Sequence, residues 1–201
     1  MWDLKKELKR KGIHLLSIFF IIIFVLISFN YGKSIALFVL VVLLIFFIEV
    51  DYVRVELGKK IPIFWRFFRE KEKDRHGGQV FFLIGAIISL AVFDFDIALV
   101  AILMTTFGDM AAALIGKRFG RIWITKKKAL EGILAEFVVD VAIALIILGS
   151  SSLKLVVVLI MAITATFVES VVEKLDDNLL IPLFSGFNGQ LARYLLGFLK
   201  I

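Results

Sequence analysis

Acidic side chains occur beside two long apolar segments of the chain, where they would meet the edge of a membrane. Asp109 lies near the end of the apolar run 95–115, and Asp176-Asp177-Asn178 precedes the run 179–199. A charge beside hydrocarbon is costly, so each such residue suggests a functional site. One Asp or Asn is enough to cap a helix, whereas two carboxylates and an amide oxygen are ligands that Mg²⁺ takes beside substrate phosphates. We therefore predict a magnesium site at Asp109, Asp176, Asp177 and Asn178, with helix capping as the alternative.

A dense cationic loop follows Asp109. Lys117, Arg118, Arg121 and Lys126-Lys127-Lys128 lead to Glu131, where the next apolar segment begins. A metal-bound polyphosphate requires acids that hold the divalent metal and many cations beside them, because phosphoryl transfer depends on positioning and charge neutralisation. The sequence has no Walker-type loop and no protein-kinase motifs. A nucleotide would therefore be held by another device.

A third charged group lies near the N-terminus. Glu7, Arg10, Lys11 and His14 are spaced at i, i+3, i+4 and i+7, which places them on one face of a helix. Two interpretations fit this face. It is either a basic collar at the membrane surface or a cationic site for a phosphate chain, with His14 at the depth of a lipid headgroup.

Small residues recur every fourth position beside Asp109. Gly108, Ala112 and Gly116 form a stripe on one helix face. Such a stripe lets a neighbouring helix backbone approach closely. The neighbour is either another helix of the same chain or a second copy in a homodimer.

Membrane helices must position these residues. The 201-residue chain is 61% hydrophobic, with 21 Phe and 2 Pro, which is too apolar for a soluble domain of this size. The absence of Cys excludes disulfides and thiolate chemistry, and two His argue against a zinc site. We predict an all-α polytopic membrane protein with about seven transmembrane helices, at residues 12–30, 34–50, 79–93, 95–115, 129–149, 153–172 and 179–199.

The distribution of basic residues predicts the orientation. Most of the 24 Lys and Arg face the cytoplasm if the N-terminus is inside. The net charge of +6 is then a cytoplasmic excess and not a signature of nucleic-acid binding. An odd number of spans places the C-terminus outside. Because only Asp94-Phe95-Asp96 separates the third and fourth segments, a re-entrant hairpin is an alternative there. No linker or repeat divides the chain, so residues 1–201 are expected to form one domain.

Two further features have open roles. The polar interval 51–78 is typical of an amphipathic segment on an anionic leaflet, except for its end at His76-Gly77-Gly78, which suits a phosphate contact. Glu136 and Asp140 lie deeper, at i and i+4 in the fifth segment. They mark a proton path or are buried against Arg or Lys partners.

Four separated motifs resemble those of the CTP-dependent lipid kinases, the family of dolichol kinase, phytol kinase and the yeast-type diacylglycerol kinase, distant relatives of the phosphatidate cytidylyltransferases. The motifs are Glu7-x-x-Arg10-Lys11-x-x-His14; Gly108-Asp109-x-Ala111-Ala112 with Gly116-Lys117-Arg118-Phe119-Gly120; Lys128-x-Leu130-Glu131-Gly132; and Glu169 with Asp177-Asn178-x-x-x-Pro182. Each motif alone is weak. Their order and spacing over residues 7–182 make the resemblance specific.

The resemblance implies roles for several of these residues. Asp109, Asp177 and Asn178 would belong to the metal and triphosphate site. The residues implied to shape the nucleotide-binding loop are Lys117, Arg118, Lys128 and Glu131. Ala129 departs from the family pattern, which usually has Thr or Ser there, so one hydroxyl ligand is missing. The longer signature of true cytidylyltransferases is absent.

We therefore expect an integral-membrane kinase that transfers the γ-phosphate of CTP to the hydroxyl of a polyprenol, dolichol or related isoprenoid alcohol, or of diacylglycerol, at the cytoplasmic leaflet. Mg²⁺ is the expected cofactor. The expected catalytic residues are Asp109, Asp177 and His14, with either Asp177 or His14 as the base. The expected nucleotide-binding residues are Arg10, Lys11, Gly108, Gly116, Lys117, Arg118, Arg121, Lys128 and Glu131.

Two other functions fit parts of the pattern. One is a cytidylyltransferase that forms a CDP-lipid. The other is a small proton-coupled transporter that uses Glu136 and Asp140, but charges clustered on one membrane face favour an enzyme. The expected partners are CTP, a lipid alcohol and the bilayer, without nucleic acid. The membrane would be the cell membrane in a prokaryote or the endoplasmic reticulum in a eukaryote.

Overall fold

A computed structural model of the protein describes residues 15–57, 77–125, 128–149, 151–172 and 175–198, without the side chains of residues 15–17 and 152–153. The predictions for Arg10, Lys11 and His14 lie outside these residues. So do most of the polar interval 51–78 and the lysines at 126 and 127.

The described chain is helical along almost its whole length. Its helices are α1 (Leu15–Tyr31), α2 (Lys33–Val55), α3 (Gly78–Val92), α4 (Phe95–Leu103), a π-helix (Met104–Gly108), α5 (Asp109–Phe119), α6 (Leu130–Leu148), α7 (Ser152–Val171) and α8 (Asp177–Phe198). If Phe95–Phe119 is counted as one unit, these helices coincide with the seven apolar segments predicted from the sequence. The prediction of an all-α fold is confirmed.

Several helices have the length and composition to cross a membrane. Within the described ranges three meet both criteria, Lys33–Val55, Phe95–Phe119 and Lys154–Val171, and Ile18–Tyr31 and Gly78–Val92 are shorter apolar helices. Large apolar side chains on the outer faces are exposed, among them Phe29, Ile146 and Phe198, as expected where lipid replaces water. The protein is an integral membrane protein, and the count of seven spans remains a prediction.

The core lies between α3, α4, α7 and α8. Ile97 and Ala101 of α4 and Val158 and Met161 of α7 are fully buried. A methyl group at Gly189 of α8 would lie 2.5 Å from Met161 Cγ, so glycine allows α7 and α8 to approach closely there. This packing fixes the position of α8 against α7.

A π-helical turn interrupts the fourth unit directly before Asp109. Its residues Thr105 and Thr106 are buried and donate their hydroxyl groups to the carbonyl oxygens of Ala101 and Ile102, at 2.9 and 3.1 Å. Such i−4 bonds satisfy the hydroxyl groups inside an apolar core. Wide turns of this kind are frequent at functional sites. The 25-residue unit that results favours a full helix over one arm of a re-entrant hairpin.

Polar side chains tie α4 to α8 at the end of the bundle away from Asp109. Arg193 Nη2 lies 2.6 Å from Asp96 Oδ2, and Arg193 Nη1 lies 3.0 Å from Asp94 Oδ2. The amide of Gln190 donates to Asp94 Oδ2 at 2.9 Å. These hydrogen bonds lower the pKa of Asp94, and the bond from Gln190 has a larger effect than the bond from Arg193.

Candidate nucleotide and phosphate site

The small-residue stripe of α5 packs against α6 of the same chain. A Cβ atom at Gly132 would lie 2.7 Å from the carbonyl oxygen of Ala112 and 3.0 Å from Cα of Gly116. The predicted close approach of a helix backbone is therefore confirmed, and the neighbour is α6. A homodimer is not needed to explain the stripe.

The loop between α5 and α6 folds back on itself and is held by Glu131. Trp123 and Ala129 form an isolated β-bridge, and the amide of Leu130 donates to the carbonyl oxygen of Ile122 at 2.8 Å. Glu131 Oε1 accepts hydrogen bonds from the amides of Arg121 and Ile122, at 2.9 and 3.3 Å. Glu131 thus shapes the loop through its backbone, and the role of this loop in nucleotide binding remains a prediction.

The cations of this loop lie at its two ends. Lys117 and Arg118 occupy the last turn of α5, and the Arg118 guanidinium lies 5.2 Å from the ring centre of Phe119. At the other end, the amide of Lys128 donates to the side chain of Thr125 at 3.1 Å. The loop therefore carries positive charge at both of its ends.

Asp109 begins α5, immediately after the π-helix. Its neighbour Gly108 packs against α6 so closely that a Cβ atom there would lie 2.5 Å from Asp140 Oδ1 and 3.3 Å from Cγ of Glu136. Both of these α6 acids are almost fully buried. The sequence left their role open, and the structure places them directly behind the first expected catalytic residue.

Glu169 connects the acids of α5 and α8. It lies at the end of α7, and its Oε1 is 3.1 Å from Lys128 Nζ. Its carboxylate also interacts electrostatically with those of Asp177 and Asp109. Two expected catalytic residues that are far apart in sequence therefore share one neighbour, which the sequence analysis quoted in a motif but did not assign to the site.

The acidic run at the start of α8 forms a helix cap. Asp176 Oδ1 accepts hydrogen bonds from the amide and the side chain of Asn178, at 3.1 and 2.8 Å. This is the bond pattern of an N-cap residue. The capping interpretation therefore holds for Asp176, and its role as a metal ligand remains a prediction, as does that of Asn178.

Several buried oxygen atoms in this region lack a hydrogen-bond partner. They are Glu136 Oε2, both carboxylate oxygens of Asp140, Glu169 Oε2, and the hydroxyl groups of Thr166 and Ser170. Unsatisfied buried oxygen atoms are costly. The alternative that Asp140 is buried against an Arg or Lys side chain is not realised in the described residues, because both of its carboxylate oxygens lack a partner.

The donor set suits Mg²⁺ but does not form a complete metal cage. Within the described ranges, no group of three or more His, Cys, Asp or Glu side chains could hold a metal ion. Mg²⁺ bound with a nucleotide needs only one or two protein carboxylates, because phosphates and waters complete its shell. The partnerless Glu169 Oε2, beside Asp177 and Asp109, is a hard oxygen donor of the kind required.

Comparisons with known proteins find lipid kinases among the relatives of this chain. No family model and no solved structure matches the chain. The sequence is 28% identical over 211 residues to the CTP-dependent diacylglycerol kinase 1 of Schizosaccharomyces pombe, covering 92% of each chain. Over nearly its whole length the chain is therefore similar to a CTP-dependent lipid kinase. It is also 36% identical over 75 residues to the enzyme of the same name from Eremothecium gossypii, 24% of that chain.

A second relative of this chain is named for a different acceptor. Dolichol kinase of Saccharomyces cerevisiae is 29% identical over 152 residues, which cover 69% of this chain and 28% of that protein. Similarity to these relatives therefore leaves the acceptor open.

Proposed function

We propose that the protein transfers the γ-phosphate of CTP to the hydroxyl of a membrane lipid alcohol at the cytoplasmic leaflet. The observation that carries this proposal is the meeting of Asp109, Asp177 and Lys128 around Glu169, beside a cationic loop. Acids and cations at one end of an apolar helix bundle suit a reaction between a polar triphosphate and a lipid. The full-length similarity to a CTP-dependent kinase supports the same reaction.

The chemistry needs little more than positioning and charge neutralisation. The hydroxyl oxygen of the lipid forms a bond to the γ-phosphorus, the bond from that phosphorus to the bridging oxygen breaks, and CDP leaves with the electron pair. Lys128, Lys117 and Arg118 neutralise the negative charge on the phosphates. The proton of the hydroxyl passes to a base, either Asp177 or His14.

Asp109 and Asp177 are the residues that would hold Mg²⁺, with the Asn178 amide and Asp176 as further oxygen donors. When bound, the ion supplies Lewis-acid charge neutralisation on the phosphate oxygens. The nucleotide would lie over the loop that Glu131 organises, near the glycines at 108 and 116.

The acceptor is either a polyprenol or dolichol-type alcohol, as expected from the sequence, or diacylglycerol. The relative that aligns over its whole length is named for diacylglycerol, whereas the dolichol kinase aligns over a small part of its own chain. Grooves for these lipids differ in shape and not in a residue code. Both acceptors therefore belong in the first assay.

The test is phosphorylation of diacylglycerol and of a polyprenol by the purified protein in detergent, with CTP or ATP as donor. We expect CTP-dependent transfer by the wild type and a loss of about a hundredfold or more in Asp109→Asn and Asp177→Asn, since each removes a carboxylate that would hold Mg²⁺ beside the phosphates. Asp96→Asn, at the far end of the bundle, is the control and should remain active.

Other outcomes point to other functions. Wild-type activity in both variants would refute the site. Pyrophosphate release from CTP with a lipid phosphate, without alcohol phosphorylation, would indicate a cytidylyltransferase. Nucleotide-independent flux in proteoliposomes that Glu136→Gln abolishes would indicate a transporter.

A further inference from the structure

The ion pair of Lys128 and Glu169 occupies only half of a buried carboxylate. Lys128 Nζ lies 3.1 Å from Oε1, and the two side chains are 25% and 7% exposed. Oε2 is buried and receives no hydrogen bond from a donor group, and the carboxyl group of Asp177 lies within hydrogen-bonding range of Glu169. The carboxylate can therefore accept a further cation, or exchange the one it holds.

The surroundings of this carboxylate favour any cation that reaches it. Asp177 and Asp109 interact electrostatically with Glu169, and Glu136 interacts with Glu169, Asp140 and Asp109. Lys128 offsets part of this charge. Because the site is mostly withdrawn from water, these interactions are stronger than at a surface.

Lys128 has two competing partners once a triphosphate is present. It ends the cationic loop, and its long flexible side chain can turn from Glu169 towards a phosphate. Its departure would leave a buried carboxylate without its ion-pair partner, which is strongly unfavourable. A divalent cation that enters with the nucleotide removes that cost.

We propose that Glu169 is a cation-exchange position, which holds the Lys128 ammonium in the ligand-free protein and takes a divalent cation when the nucleotide draws Lys128 onto its phosphates. This inference rests on the proposed function, because it needs a triphosphate in the site. It assigns Glu169 as a metal ligand of the nucleotide-bound state. In the absence of nucleotide, the Lys128 ammonium competes with the metal ion for Glu169. When nucleotide is bound, Lys128 no longer competes, so metal and nucleotide bind cooperatively.

The test measures binding of Mn²⁺ by electron paramagnetic resonance on the full-length protein in detergent, with and without CTP and without a lipid acceptor. Lys128→Met removes the competing ammonium and should raise the Mn²⁺ affinity without CTP about tenfold, a typical coupling. Glu169→Gln keeps the shape but removes the charge. It should lower the Mn²⁺ affinity with CTP about tenfold or more and abolish the coupling between metal and nucleotide.

The two substitutions should shift the Mn²⁺ affinity in opposite directions, and this distinguishes cation exchange from a purely structural ion pair. If the pair only held the loop to α7, both substitutions would weaken binding, and shifts in the same direction, or no shifts, would overturn the proposal. Asp96→Asn breaks the ion pair at the far end and should leave the Mn²⁺ affinity unchanged. If Glu169→Gln does not fold, Lys128→Met decides alone, since an unchanged or lower affinity without CTP overturns the proposal.

A parallel kinase assay of the wild type separates this inference from the proposed function. An active wild type without the opposite shifts refutes the exchange and leaves the kinase function standing. A wild type that binds CTP and Mn²⁺ with the expected shifts but phosphorylates no alcohol refutes the kinase function and supports the exchange.

Discussion

Gly108 packs directly against the buried carboxylate of Asp140, which leaves no room for a side chain at position 108. A Cβ atom there would lie 2.5 Å from Oδ1 and 3.2 Å from Cγ of Asp140. The contact joins the turn before Asp109 to the middle of α6. It therefore sets how deep Asp109 lies in the bundle.

Substitution Gly108→Ala should damage both packing and activity. The added methyl group must displace Asp140 or α5, and overpacking of this kind costs about 1–3 kcal/mol. We expect a lower melting temperature in detergent and a loss of kinase activity of about tenfold or more, because Asp109 moves with its neighbour. Gly197→Ala is the matched control, since a Cβ atom at Gly197 meets nothing within 4 Å. Equal activity and melting temperature in the two variants would contradict this account.

Substitution Glu131→Gln should weaken nucleotide binding with little effect on the chemical step. The carboxylate accepts two backbone amides of the loop, and a neutral amide oxygen accepts them less strongly. We expect the KM for CTP to rise several-fold and kcat to change less, in steady-state assays at saturating lipid. Glu56→Gln, an exposed Glu at the end of α2, is the control. A drop in kcat at constant KM would show that Glu131 acts on the reaction itself.

The buried pair of Asp51 and Arg54 should contribute strongly to stability. Arg54 Nη2 donates to Asp51 Oδ1 at 2.9 Å, and the amide of Gly77 donates to Asp51 Oδ2 at 2.6 Å. Asp51→Asn removes the carboxylate charge from this buried pair, so the free energy of unfolding should fall by about 1.5–3 kcal/mol, the usual worth of a hydrogen bond to a charged group. Thermal unfolding in detergent measures this change.

The double variant Asp51→Leu with Arg54→Leu provides the comparison for that pair. It removes both charges at once and should be less destabilised than Asp51→Asn, because an apolar replacement of a buried pair is often tolerated. If the double variant were the less stable of the two, the ion pair itself would account for the stability.

The orientation can be tested with single cysteines, because the chain contains none. Lys154→Cys lies at the start of α7 and should react with a membrane-impermeant thiol reagent added outside intact cells. Leu175→Cys, before α8, is exposed and should react only after the membrane is permeabilised. Gly197→Cys should react from outside if the number of spans is odd. The reverse pattern would place the candidate site on the outer side.

The sequence predicts the helices well because their signal is local. Apolar runs of membrane length coincide with the seven helical units, and the spacing of Gly108, Ala112 and Gly116 predicts a close helix contact. The partner of that contact was not predictable, since the spacing describes one surface and not the surface opposite. Only the fold shows that α6 fills it.

The sequence is less informative where chemistry depends on long-range contacts. Glu169 is separated from Lys128 by two helices, so its role as the neighbour of Asp109 and Asp177 has no local pattern. Asp51 begins the interval that the sequence predicts as an amphipathic segment on a leaflet, yet it is buried and its carboxylate accepts a hydrogen bond from the backbone of Gly77. Asp176 shows the reverse case, because its capping role, the alternative to metal binding in the sequence analysis, depends on a contact only two residues away.

The π-helical turn at Met104–Gly108 changes how this region must be aligned with relatives. A π-turn corresponds to one residue inserted into an α-helix, so α5 is rotated by about 100° relative to a continuous α-helix that starts at Phe95. The apolar periodicity of α4 therefore does not continue into α5. An alignment with a relative that lacks the turn requires a one-residue gap between positions 104 and 108, and without it the acid equivalent to Asp109 would be assigned to the wrong face.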